Sequence, residues 1–350
     1  MYVNFHKETE KLSTRRHPTL TDVARESGCS IATVSRALSQ PGLVQRDTLE
    51  RVRSAAQALG YVPNRRARAL ASGRSNTIGV VVPTLNSPIF SAMLQEMQRA
   101  SAANGYQLLI ASHEYDIGSE AAAIGQLVSH GVDGLILVGG ERPQSSWAMI
   151  DSAGLPVVQL WEGRAGFDRV LVDNFQAGHM VARYLLDMGH RRVSVICGRQ
   201  ANNDRQRARV DGIRAALAEE GITLTRSQIS EQPLTLAAGR AGCMTLLETV
   251  PRPTAIIGTA DLLAIGAMIE AQGRAISVPD TLSFAGIDNV DMAAHLAPSL
   301  TTVDIPAAAI GAEAAALILA RLGTPDRQEP VDLRLPISLV VRHSTGRAAS

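Results

Sequence analysis

At Thr77 the hydrophobic pattern of this chain changes period, and that change constrains the fold more than any other feature. From there, short apolar runs alternate with stretches of helical periodicity. The run TIGVVVP is followed by a helix at 88–103, Gly105 leads into YQLLIAS, and GVDGLILVG, LPVVQL and RVLVDN continue the series. Runs this short, rich in Val, Ile and Leu and bounded by Gly, Pro or Asn, read as strands buried on both faces. After a helix at 176–188, a second set opens with RRVSVICG and proceeds through TAIIGTAD and LSFAGID. Strands alternating with helices imply right-handed crossovers and parallel sheets, so two such sets mean two doubly wound lobes. A last helix at 306–322 and the strand-like VDLRLPISLVVR are placed to cross back between them.

Ahead of Thr77 the period is helical throughout. Thr19 precedes Leu20, Val23 and Ala24, one apolar stripe, and Asp22 stands where a capping box needs its acid. Gly28 stops this helix after barely two turns. Ser30 can cap a second, in which Ile31, Val34, Ser35 and Leu38 recur at helical spacing. A third spans 47–59, with Leu49, Val52, Ala56 and Leu59 inward and Gly60 at its end. Two short helices about a Gly-containing turn, braced by a third, form a helix-turn-helix, whose second helix fits the DNA major groove.

Charge agrees. Residues 1–75 hold thirteen basic and six acidic side chains, a net charge of +7, while the remainder carries −6 within an overall +1. A basic head on an acidic body suits a polyanionic partner, although a solvated basic face would look the same from charge alone.

The stretch TLTDVARESGCSIATVSRAL, followed by LERVRSAAQALGYVPNRRARAL, resembles the LacI/GalR family of bacterial regulators, and the similarity runs over about residues 19–346. The resemblance implies a transcription regulator, by default a repressor: an all-α helix-turn-helix head on an α/β periplasmic-binding-protein-like core of two doubly wound parallel-sheet lobes. It places Ile31 and Ala32 at the start of the recognition helix, Arg36 at its next base-reading position, and Thr33 and Ser35 at phosphate-contacting or helix-stabilising positions. Arg36 can pair with guanine, whereas Ile31 and Ala32 offer only apolar contact. Gln45 departs from the family, which usually has Ser or Thr there as a cap; Gln caps poorly.

The Arg-rich segment from Asn64 to Ala71 is the hinge. Eight residues are too few for a stable isolated helix, so it is expected to fold only on DNA. The resemblance gives Asn64 and Arg68 DNA contacts and makes Leu70 a wedge that kinks the duplex from the minor groove.

In the body, the positions matching the family's effector pocket are Ile89, Phe90, Trp161, Asp173, Asn203, Arg205, Arg209, Leu234 and Asp288. The arginines offer planar donor forks and the aspartates, at strand ends, offer acceptors. Together they favour a sugar or sugar acid, with a purine-type effector as the alternative because Trp161 can stack on a base. Any one of these residues can instead be a structural group between lobes.

The expected organisation is a disordered tail at 1–17, a head at 18–63, a hinge at 64–75, a first lobe at 76–173 with 304–330, and a second at 174–303 with 331–347. The expected assembly is a homodimer on a palindromic operator. No nucleotide-loop, zinc-protease or serine-hydrolase motif is present, so an enzyme is not expected, nor is a cofactor or metal. Cys29, Cys197 and Cys243 lie far apart and read as buried free thiols. A two-lobed transport-binding protein would share the body but need an export signal, and the polar first residues do not read as one. With no apolar run long enough to span a bilayer, a cytoplasmic protein is expected.

Overall fold

The computed structural model describes residues 18–62, 73–324 and 329–348. The chain divides into two compact units, 1–75 and 76–350. The expected tail at 1–17 and nearly all of the hinge, including Asn64, Arg68 and Leu70, lie outside the described residues.

The first unit contains α1 (Leu20–Ser27), α2 (Ile31–Ser39) and α3 (Arg46–Ala58). Thr19 and Asp22 form the capping box: the Thr19 backbone N–H donates to Asp22 Oδ2 at 2.9 Å, and the Asp22 N–H donates to Thr19 Oγ1 at 3.4 Å. Gly28 closes α1 at φ 65°, a conformation that favours glycine. Ser30 Oγ accepts from the Thr33 N–H and starts α2. Gln45 makes no side-chain cap to α3. The core is built from Val23, Ala24, Val34, Ala37, Val52, Ala55 and Ala56, so alanines that carry little hydropathy signal do much of the packing.

The second unit begins with β1 (Thr77–Val82), α4 (Pro88–Ala103), β2 (Gln107–Ser112), α5 (Ile117–Ser129), β3 (Gly134–Val138), α6 (Gln144–Ala153), β4 (Val157–Trp161) and β5 (Asp168–Leu171). The second lobe follows with α7 (Asn174–Asp187), β6 (Val193–Cys197), α8 (Asp204–Glu219), β7 (Ile229–Glu231), α9 (Leu236–Leu247) and β8 (Ala255–Gly258). It continues through α10 (Asp261–Gly273), β9 (Ser283–Asp288), α11 (Met292–His295) and β10 (Thr301–Asp304). The chain then returns to the first lobe, where α12 (Ala307–Gly323) packs against α4, β4 and β5. Finally β11 (Asp332–Arg334) and β12 (Ser338–Val340) join the first and second sheets respectively.

The first sheet has strand order β11-β5-β4-β3-β1-β2 and is parallel throughout. The second has order β12-β10-β9-β8-β6-β7, parallel except for β12, which pairs antiparallel with β10. Both orders reverse direction at the first strand of the set, and that switch point opens a crevice at the carboxyl ends of the strands.

Two strands depart from the sequence expectation. β7 was not anticipated because it is three residues long with a buried serine at its centre, and β10 because its buried Thr301 and Thr302 read as polar. The boundary expected at residue 330 moves as well: β11 still pairs with β5, so the last crossing lies between 334 and 338. Cys29 is half-buried rather than buried. Among the described residues no helix is long and apolar enough to cross a membrane.

Candidate functional site

The head presents one face of α2 outward. Val34 and Ala37 point into the three-helix core, which leaves Ile31, Ala32, Ser35 and Arg36 exposed together. Ile31 is 49% exposed, unusual for a large apolar side chain in so small a core, and fits it for contact rather than packing. Thr33 is half-buried and hydrogen-bonds Ser30 through its hydroxyl at 2.8 Å. The Arg36 guanidinium makes no ion pair or hydrogen bond among the described residues and remains available to an acceptor.

The second unit holds a cleft between its lobes. Ile89, Phe90, Trp161, Asn203, Arg205, Arg209, Leu234 and Asp288 all line one cavity there. Asp173 does not. Its carboxylate caps α7 by accepting the Gln176 N–H at 2.8 Å, and it lies 3.4 Å from Arg334 with 46% of its side chain exposed. The start of a helix needs such an acceptor for its unpaired N–H groups, and that requirement claims the residue.

Arg209 is the centre of the site. It is only 4% exposed, donating from Nη1 to Asp288 Oδ1 at 2.9 Å and to the Thr259 carbonyl at 2.7 Å, and from Nε to Asn174 Oδ1 at 3.0 Å. Its Nη2 makes no hydrogen bond among the described residues. Its position is set by an unusually close helix crossing. A Cβ on Gly178 of α7 would lie 1.9 Å from the Arg209 carbonyl oxygen, and one on Gly212 of α8 would lie 1.9 Å from that of Phe175. Only glycine at both points lets the helices meet backbone to backbone.

Burial raises the pKa of Asp288, and the Arg209 charge beside it opposes the rise. Behind it Asp261 is fully buried, accepting from the Thr302 hydroxyl at 2.5 Å and the Val290 N–H at 2.9 Å. Burial, reinforced by the Asp288 charge, pushes the Asp261 carboxyl up to about 7. Two carboxyl groups therefore share the neighbourhood of one arginine, which favours holding a proton on the inner acid.

Arg205 donates from Nη1 to Asp204 Oδ1 at 3.0 Å, while Asp204 Oδ2 accepts the Gly140 N–H at 2.7 Å from across the cleft. Arg207 pairs with Glu141, and Asn174 donates to Glu162 at 2.9 Å, adding two further bonds between lobes. Asn203 caps α8 through the Gln206 N–H. Trp161 is 1% exposed, with its ring packed edge-to-face against Phe90 at a centroid distance of 5.3 Å. The cavity is nearly shut, about 30 Å³, room for about two water molecules.

The sequence reading missed Tyr115, Ser87, Gln206, Leu262 and Val290, which line the cavity along with Pro88 and Ala260. Tyr115 follows the carboxyl end of β2, and the crevice rule for parallel sheets points to that loop. The other signal is its position between strand and helix, too general to single it out.

Comparison with known proteins finds family matches along most of the chain. A model described as "Bacterial regulatory proteins, lacI family" matches residues 19–64. Another, "Periplasmic binding proteins and sugar binding domain of LacI family", matches residues 75–343. The chain is 32% identical over 332 residues to the HTH-type transcriptional regulator DegA of Bacillus subtilis, covering 93% of this chain and 98% of that one. It is 31% identical to the HTH-type transcriptional repressor PurR of Pectobacterium carotovorum, covering 93% and 96%. The crystal structure of a LacI family transcriptional regulator from Silicibacter pomeroyi superposes with a TM-score of 0.85 at 30% identity, covering 94% of this chain and 100% of that one.

Proposed function

This chain belongs to the LacI family of bacterial regulatory proteins, and on that premise we propose that the ligand switching its operator affinity is a neutral sugar. The protein is a DNA-binding transcription regulator with an effector-binding domain. The observation that carries the sugar reading is the Arg209–Asp288 pair on the cavity wall, which sets a donor fork beside a carboxylate acceptor. A vicinal diol can accept from the arginine and donate to the carboxylate.

Charge pairing favours a neutral sugar over a sugar acid. Within this cavity Arg209 is already neutralised by Asp288 and Arg205 by Asp204, so an anionic group placed there would meet no surplus positive charge. A purine would need an aromatic face, and Trp161 is buried against Phe90. Calorimetric titration with neutral sugars, aldonic acids and purines tests the order. Tighter binding of purines or aldonic acids than of any neutral sugar would refute it.

In the head, the reading gives base contact to Ile31, Ala32 and Arg36 and phosphate contact to Thr33 and Ser35, with Asn64, Arg68 and Leu70 reserved for the hinge. The protein acts as a homodimer on a palindromic site. Support comes from β2, a sheet edge with Leu109 and Ile110 both exposed, a surface that a second copy would cover. The regulated step is binding, with no catalytic residue assigned.

Effector control follows from the bonds that span the cleft. A ligand that bridges Arg209 and Asp288 must open a cavity now closed to about 30 Å³, which strains the Asp204–Gly140 and Arg207–Glu141 contacts. Whatever free energy this shift transfers to operator binding returns in equal measure when operator binds first.

A further inference from the structure

A second cavity, about 260 Å³, adjoins the first and shares Tyr115, Asn203 and Leu234 with it. We infer that the cleft has two compartments divided by Tyr115, and that the effector consists of two linked hydroxylated units, one in each. This rests on the sugar reading above and deepens it.

Three observations support the division. First, Tyr115 also lines a small third cavity beside Glu120, so this one residue borders all three spaces. Second, Glu114 and Tyr115 are both left-handed, at φ 47° and 62°, and two such non-glycine residues in succession are costly unless their surroundings hold them. The result directs Tyr115 from the first lobe toward Asn203 and Leu234 of the second. Burial pushes the phenol up to about 12, so it stays protonated and its hydroxyl, unbonded among the described residues, can donate to a ligand.

Third, the outer compartment differs in character from the inner. It is lined by Thr84, Asn86, Gln232 and Thr235, neutral groups suited to hydroxyls, together with Arg199 and Glu114 of opposite charge. The Arg199 guanidinium has no partner among the described residues, and the Asn86 side chain likewise makes no hydrogen bond. The space falls just below the range of a drug-sized pocket, as suits one ring. The inner compartment, with its paired charges, takes the first ring when the lobes part, and the outer is already open to the second.

The test is calorimetry on the full chain with neutral monosaccharides and the disaccharides built from them. The disaccharide that binds is expected to be at least tenfold tighter than its component monosaccharide. Arg199→Ala, an exposed change that leaves folding intact, is expected to weaken the disaccharide by five- to twentyfold and the monosaccharide by less than twofold. Tyr115→Gly, which suits the left-handed backbone, is expected to narrow the gap between the two ligands to threefold or less. Equal affinity of disaccharide and monosaccharide in the wild type, or an equal effect of Arg199→Ala on both, would overturn the two-compartment inference alone. Absence of heat with every saccharide, while a purine or aldonic acid binds, would instead overturn the sugar reading on which it rests.

Discussion

Replacing Asp288 with alanine leaves the Arg209 guanidinium buried without its counter-charge. Breaking a buried ion pair from one side costs about 3–5 kcal/mol. Arg209 retains the Thr259 carbonyl and Asn174 Oδ1 as acceptors, which places the cost at the low end, about 3 kcal/mol. The double variant Arg209→Met with Asp288→Leu removes both charges together. It gives up two neutral acceptors' bonds, about 1 kcal/mol each, but gains apolar packing and removes the carboxylate beside Asp261. Its stability should return to within about 1 kcal/mol of wild type. Sugar binding should not return, because each charge-assisted hydrogen bond contributes about 1.5–3 kcal/mol and two are lost, on the order of 100-fold or more. Urea denaturation reads the stability and calorimetry the affinity. A double variant as unstable as Asp288→Ala, or one that binds sugar like the wild type, would refute the assignment of this pair to recognition.

Asp261→Asn tests the inner acid. The folded pKa of Asp261, about 7, lies above the ordinary 3.8, so the folded chain binds the proton more tightly than the unfolded chain does. That contribution to stability is complete below about 4 and is lost as pH rises toward and through 7. The stability of wild type relative to the variant should therefore fall between pH 4 and 7.5 in denaturation experiments, and a flat or rising difference would remove the raised acid. Gly178→Ala should destabilise the body by about 1–3 kcal/mol and weaken sugar binding, since the new Cβ meets the Arg209 backbone at 1.9 Å; unchanged affinity would show that the helix crossing does not position Arg209. Arg36→Ala should lose about 1–3 kcal/mol of operator affinity in a gel-shift or anisotropy titration while sugar affinity stays within twofold. Leu70→Ala is expected to weaken operator binding severely with sugar affinity retained, and equal operator affinity would exclude the wedge role.

Where local chemistry and tertiary structure agree, the sequence was legible. Thr19 and Asp22 announced the start of α1, and the apolar runs announced most strands, because those signals are carried by the residues themselves. β10 was hidden because the hydroxyls of its Thr301 and Thr302 are satisfied by Thr345 and Asp261, partners more than 40 residues away in the chain. Asp173 and Asp288 look alike in sequence, both acids at the end of an apolar run. One caps the next helix and the other meets Arg209, a difference decided by where the following backbone turns. Tyr115 is invisible for a related reason: its role depends on a left-handed turn that no periodicity encodes. Ile31 was legible as an outward residue only because Val34 fills the core beneath it.

A sugar bound between Arg209 and Asp288 is proposed to control the operator affinity of the head. The direct measurement is anisotropy of a labelled operator, selected from random duplexes, titrated with the full chain at fixed salt with and without saturating sugar. A shift in operator affinity of about 5- to 150-fold is expected in the wild type, in either direction. No shift is expected in the Arg209→Met, Asp288→Leu variant, whose operator affinity without sugar should match the wild type. A sugar that binds by calorimetry yet leaves operator affinity unchanged, or a double variant that still responds, would contradict that control.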